Sequence, residues 1–185
     1  CHADRGLASW QGGGPVSAER VAQIIEATGV RARPLKQARE WGYQRLTGGN
    51  AVLIMDAAPP PVARVVEGGS ASTLVFEFSD GATRLIVNCG GARAASSRLP
   101  RELVEALRTT AAHSTLTLAD SNSTAILADG TLGKGVAEVE LSRQESDGAN
   151  RIEASHDDYV RRFGFAHRRQ LVLTGDGREL RGEDS

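Results

Sequence analysis

Four histidines, one asparagine and one tyrosine carry most of the ligand and proton-transfer chemistry open to this chain. The histidines are His2, His113, His156 and His167. Asn88 closes a hydrophobic run, Leu85-Ile86-Val87, and is followed by Cys89-Gly90-Gly91; His113 closes the run Arg108-Thr109-Thr110-Ala111-Ala112 and precedes Ser114-Thr115-Leu116. If Asn88 ends one strand and His113 begins another, two ligand-type side chains meet on one face of a sheet. An imidazole near its ordinary pKa can relay a proton or hold a metal. A tyrosine such as Tyr159 can take part once its pKa is tuned and a substrate lies within hydrogen-bond reach. His113 and Tyr159 are therefore the catalytic candidates. From Arg161 to Arg169 cationic and aromatic residues interleave, a pattern that suits anionic sugar or nucleic acid. Arg108, His156, His167 and Arg168 are the candidate substrate contacts. Each also has a plainer reading: a core histidine at 113, a loop-stabilising bond at His156, and a solvated strand face around His167.

Stronger signatures are absent. There is no HExxH, no CxxC, no close pair of histidines and no Gly-x-Ser-x-Gly elbow. Cys89 has no base beside it in sequence and reads as a small core residue. Gly12-Gly13-Gly14-Pro15 has neither dinucleotide-binding nor P-loop spacing, so it reads as a turn.

The elements that must position these residues are mainly strands. One helix is expected over Ala18–Ala27, with Val21, Ile24, Ile25 and Thr28 on one face and Gly29 as its stop. From Tyr43 the period becomes two. Strands are expected at Gly42–Leu46, Ala51–Asp56, Val62–Val66, Thr73–Phe78, Thr83–Asn88, Thr115–Ala119, Thr124–Ala128, Val136–Leu141, Arg151–Ser155 and Ala166–Thr174. Asp-Gly pairs at 80–81, 129–130, 147–148 and 176–177 mark turns that tolerate positive φ. A second short helix follows Pro100. Leu74, Phe76, Phe78, Leu85, Val87, Leu116 and Leu118 are the expected core. The fold class is all-β, an antiparallel sandwich with one or two short helices.

Composition narrows the function. The 185 residues carry a net charge of −1, so there is no global field for nucleic acid or an acidic membrane surface. Only Lys36 and Lys134 of the 22 basic residues are lysine, and arginine suits bidentate contacts to carboxylate or sulfate. No segment has the length and apolarity of a membrane span. The start at Cys1 without methionine and the charged end are those expected of a piece of a longer chain.

Together the segments resemble the C-terminal β-sandwich of the heparinase II/III-like family. The matching pieces are Gly42-Tyr43-Gln44-Arg45-Leu46, Leu74-Val75-Phe76-Glu77-Phe78, Val87-Asn88-Cys89-Gly90, the run from Arg108 to Thr115, Ser155-His156-Asp157-Asp158-Tyr159 and His167-Arg168-Arg169. The resemblance implies two parts: residues 1–40 as the end of a preceding α/α-toroid or its linker, and residues 41–185 as the sandwich. It implies polysaccharide lysis by β-elimination, an anionic polysaccharide as partner, the chain's own toroid as the carrier of most catalytic residues, and a periplasmic or cell-envelope location. It also implies a metal site built from a histidine before the Leu-x-Phe-Glu strand, an aspartate and the Ala-Ala-His histidine. Those positions read Ser70 (or Gly68), Asn88 and His113 here. One imidazole and one neutral amide do not hold zinc, so no cofactor is expected, and His113 is expected to be neutral and hydrogen-bonded, with Asn88 as a partner. The alternatives are a non-catalytic glycan-binding or structural sandwich and, third, a free-standing metal-binding β-protein.

Overall fold

The computed structural model describes residues 1–31, 33–61, 68–91 and 98–185. Helix α1 spans Ala18–Thr28; the Ser17 hydroxyl caps its start by accepting from the Arg20 amide, and Gly29 ends it with φ 64°. The first sheet contains β1 (Gln37–Ala38), β2 (Tyr43–Gly48), β3 (Ala51–Asp56), β4 (Phe76–Asp80) and β5 (Thr83–Ile86) in that order. Every pairing in it is antiparallel. Helix α2 covers Arg101–Ala106 and leads into a short 3-10 turn over Thr110–Ala112. A small hairpin joins β6 (Thr124–Ile126) and β7 (Leu132–Gly135). The second sheet has β8 (Glu140–Glu145), β9 (Ala149–His156), β10 (His167–Thr174) and β11 (Leu180–Asp184), in the order β11-β10-β9-β8. A short helix α3 (Val160–Phe163) links β9 to β10.

Alternation explains the packing. Leu46, Leu53, Met55 and Phe78 from the first sheet meet Ile152, Ala154, Leu171 and Leu173 from the second in one buried cluster. Burying each large aliphatic side chain contributes about 1.5–3 kcal/mol. The sandwich is tightest at the two glycine turns, where a Cβ on Gly48 would sit 2.1 Å from the Thr174 carbonyl oxygen. Strand β3 is buried along its whole length. Its second face, Val52, Ile54 and Asp56, lies beneath the N-terminal strap of residues 1–16.

Several expectations need correcting. Thr115–Ala119 is not a strand; among the described residues it forms one isolated bridge, Leu118 to Ser121. His113 therefore follows a 3-10 turn instead of opening a strand. Of the stretch Val136–Leu141 only Glu140 and Leu141 are in a strand, at the start of β8, and Val62–Val66 lies outside the described residues. In β5 the facing is reversed: Leu85 and Val87 are exposed, Ile86 packs on the core, and Cys89 is exposed. A register shift between Phe78 and Ser79 places Ile86 opposite Phe78, which sets that phase. Leu116 and Leu118 are half-buried.

Candidate functional site

Three polar assemblies surround the positions singled out by sequence. The first lies on the outer face of the first sheet. Glu77, on β4 opposite Ile54 of β3, is fully buried. Its Oε2 accepts from His2 Nε2 at 2.5 Å, and its Oε1 accepts from the Ser9 amide at 2.9 Å and from Asn88 Nδ2 at 3.2 Å. Desolvation would raise the Glu77 carboxyl, but the donors of His2, Ser9 and Asn88 outweigh it and hold the group below its ordinary value. The chain from Asn88 continues inward: Asn88 Oδ1 accepts the Ser114 amide at 3.0 Å, and the Ser114 hydroxyl serves the Phe76 carbonyl. The strap is pinned again at Gln11, whose amide nitrogen approaches Asp56 and Ser72 and whose oxygen accepts the Ser70 amide at 3.0 Å. Burial raises the Asp56 carboxyl to about 7.

The second assembly is the seam between residues 68–75 and 107–115. Asn88 does approach this seam, but its amide oxygen is taken by Ser114 and not by His113. Among the described residues, neither ring nitrogen of His113 makes a well-aligned hydrogen bond. The expected Asn88–His113 bond is thus replaced by an Asn88–Ser114 bond, one residue along. Desolvation pushes His113 down to about 4; a loose hydrogen bond to the Leu107 backbone acts the other way.

The third assembly closes one end of the core. His156 and His167 are paired across β9 and β10, and both are buried. The Asp184 carboxylate accepts His167 Nε2–H at 2.9 Å, which leaves His167 Nδ1 facing His156 Nε2 at 3.4 Å. Arg169 grips both oxygens of Asp184 at 2.7 Å each and donates to the carbonyls of Leu74 and Ser114. The left-handed turn at Leu74, φ 62°, aims that carbonyl at the guanidinium. Desolvation would raise Asp184, yet its donors His167 and Arg169 hold it well below the usual carboxylate range. Burial, then the adjacent His167, lowers His156 to about 4. The Tyr159 ring is fully buried, and its hydroxyl donates to the Leu116 and Ser121 carbonyls at 3.2 and 3.3 Å. Burial raises its pKa.

The structure thus brings His156, His167 and Tyr159 together and sets His113 apart from them. Of the candidate substrate contacts, Arg108, His156 and His167 are buried; Arg168 is exposed and lies 3.6 Å from Glu153. Glu77, Asp184, Arg169 and Asp56 were not singled out by sequence. The one signal for them was a carboxylate or arginine at an inward or covered position of a strand, which requires a partner when buried.

A cation does not fit the locus of Ser70, Asn88 and His113. Both ends of the Asn88 amide are occupied by protein, and among the described residues no three His, Cys, Asp or Glu side chains converge in a metal-holding group.

The heparinase II/III-like, C-terminal family matches residues 30–185. The chain is 32% identical over 198 aligned positions to FtsZ-localized protein C of Caulobacter vibrioides, which covers 98% of this chain and 32% of that protein. Its fold is similar to that of heparan sulfate lyase HepC from Pedobacter heparinus, with TM-score 0.67 and 13% identity over 94% of this chain and 28% of the lyase. A heparinase III gene product aligns with TM-score 0.69 and 14% identity over 95% of this chain and 28% of its own. The chain spans about a third of the length of the curated relative it matches.

Proposed function

The chain belongs to the heparinase II/III-like, C-terminal family, and on that premise we propose that it is the non-catalytic β-sandwich of a longer polysaccharide lyase. The substrate class is a uronate-containing, anionic glycan. The reaction neutralises the uronate carboxylate, removes the C5 proton with a base and protonates the leaving oxygen with an acid. In this reading residues 1–40 join the sandwich to a toroid that carries those groups, and the protein works in the periplasm or cell envelope. One observation supports a scaffold role: His113, His156, His167 and Tyr159 are all buried. A group that must meet a polymer needs a face open to it. The test is ultraviolet absorbance from unsaturated uronate. Heparin, heparan sulfate and alginate should give no signal with this chain alone, and a signal with the longer protein that contains it. Turnover by the chain alone would refute the scaffold role.

A second reading rests on the 32% identity to a protein named for localisation with FtsZ. There the sandwich is a structural or binding module that associates with FtsZ and cleaves nothing. Co-sedimentation of this chain with FtsZ polymers, joined to a silent lyase assay of the longer protein, would favour it over the first.

A further inference from the structure

A single exposed apolar side chain is ordinary in a folded protein. It gains meaning when its neighbours are exposed with it and the same molecule carries a cleft of matching chemistry. Phe165, in the link between α3 and β10, is 63% exposed, and Val160, Arg161, Gly164 and Ala166 around it are exposed too. The two arginines of this lip differ. Arg162 is spent within the fold: it donates to Asp158 and to the Asn122 carbonyl at 2.7 Å each and lies over the rings of Tyr159 and Phe163. Arg161, four positions before Phe165, forms no ion pair among the described residues. The lip therefore offers one aromatic ring and one cation to solvent.

The matching cleft lies past the other end of β10. There the two sheets part and enclose a space of about 480 Å³. Phe78 and Leu85 of the first sheet and Leu180 of the second give it an apolar lining, and Asp80, Asp176 and Arg178 give it charge. Asp80 makes no side-chain hydrogen bond among the described residues. The Arg178 guanidinium is 88% exposed and 3.9 Å from Asp176, a separation at which a surface pair contributes little. Two carboxylates against one arginine leave the cleft net negative. Two other clefts are lined by Arg39, Arg143 and Glu40, and by Arg45, so neither is net negative. Phe165 precedes the eight residues of β10 and Asp176 follows them, which sets the lip and the cleft more than about 20 Å apart. The lip of one molecule cannot fill its own cleft. With a net charge of only −1, two copies meet without strong repulsion.

We propose that the occupant of this cleft is a second copy of the chain: Phe165 of one copy packs against Phe78, Leu85 and Leu180 of the next, and Arg161 pairs with Asp80 there. The two surfaces are different, so the contact is heterologous. Each copy keeps one free lip and one free cleft, and association runs head to tail. One aromatic anchor and one ion pair cover far less than a standard interface, so the association is weak and concentration-dependent. The contact is independent of the lyase reading and holds whether or not the longer protein cleaves glycans.

The experiment is analytical ultracentrifugation of the purified chain. Its weight-average mass should rise between about 10 μM and about 1 mM, the weak range that suits so small a contact. The association constant should fall at least about tenfold in Phe165→Ser and in Leu85→Glu, the loss expected for an anchor and its pocket. It should fall severalfold in Asp80→Asn and should not change in Lys134→Gln, which alters an exposed lysine. Phe165 and Leu85 are both more than half exposed, so these variants should keep the fold, as circular dichroism would show. Each retains one half of the contact. An equimolar mixture of Phe165→Ser and Leu85→Glu should therefore form a one-to-one dimer and grow no further, while each alone stays monomeric. A wild-type chain that is monomeric at every concentration overturns the proposal. So does association that survives either variant, and so does a mixture that stays monomeric or grows beyond the dimer.

Discussion

In an Asp56→Asn background, which removes the opposing titration of that raised carboxyl, lowering the pH from 7 to 4.5 should destabilise this fold through two buried histidines. His113 and His156 are both buried and both titrate at about 4 in the folded chain, against an ordinary value of 6.5. In each case desolvation of the charged ring is the leading cause. Their folded values are depressed, so below pH 6.5 the unfolded chain takes up protons that the folded chain does not. Stability is fully present above 6.5 and is lost as the pH falls toward 4. At about 1.4 kcal/mol per pKa unit, each imidazole contributes up to ~3 kcal/mol over that window. A combined loss of about 2–4 kcal/mol by pH 4.5 is a realistic expectation once local relaxation is allowed. The assay is urea unfolding at pH 7, 6, 5 and 4.5 in anion-matched buffers, followed by circular dichroism and the fluorescence of Trp10 and Trp41. His113→Leu supplies the control. It replaces a poorly hydrogen-bonded buried imidazole by an apolar side chain, so it should leave stability at pH 7 little changed, and it should remove about half of the acid slope. In the Asp56→Asn background, a flat profile between pH 6.5 and 4.5, or an unaltered slope when His113→Leu is added, would refute the assignment of buried neutral imidazoles.

Three further outcomes are expected. Glu77→Ala strips the acceptor from His2, Ser9 and Asn88 and should cost about 3–5 kcal/mol, read as a lower urea midpoint, with the strap cleaved faster in limited proteolysis. Asp56 runs opposite to the histidines: its carboxyl is raised to about 7, so its contribution is present below the ordinary carboxylate range and lost as the pH rises through 7. Asp56→Asn should therefore stabilise the chain at pH 8 by about 2–4 kcal/mol and do little at pH 5, as thermal melts at the two pH values would show. Equimolar zinc should leave the melting midpoint unchanged; a rise that disappears in His113→Ala would restore a metal role to that residue.

Much of the fold was legible because alternation and turn chemistry act locally. Ala51–Asp56 is a strand over the range its apolar run implies, and the turn at Asp80-Gly81 joins β4 to β5 as the flanking alternation requires. Helix α1 begins after Ser17 and stops at Gly29 for the capping reasons its sequence carries. The failures are physical too. The stretch Thr115–Ala119 has a strand-like sequence, but the Thr115 amide and hydroxyl are spent on the His113 and Thr73 carbonyls. Ala119 and Asp120 then adopt positive φ, which ends any extended run. In β5 alternation was correct but its phase was not, because a register shift in the partner strand decides which side faces in.

The chemistry was far less legible, since burial decides it and burial depends on distant partners. The sequence Ala-Ser-His-Asp-Asp-Tyr is equally compatible with a surface loop. What encloses His156 is the imidazole of His167 across a strand pair, and what fixes His167 is Asp184 near the end of the chain. Likewise Glu77 could be an exposed strand acid but for His2, seventy-five positions earlier. Once those partners are in place, the same residues that suggested catalysis become costly to charge and closed to a polymer. Such groups join one layer of the sandwich to another. Arg169 shows this most directly: from β10 it holds Asp184 of β11, the Leu74 carbonyl before β4 and the Ser114 carbonyl of the seam at once. A side chain with that many fixed partners has no freedom left to follow a reacting group. That is why the polar end of this core supports a scaffold more naturally than an active site.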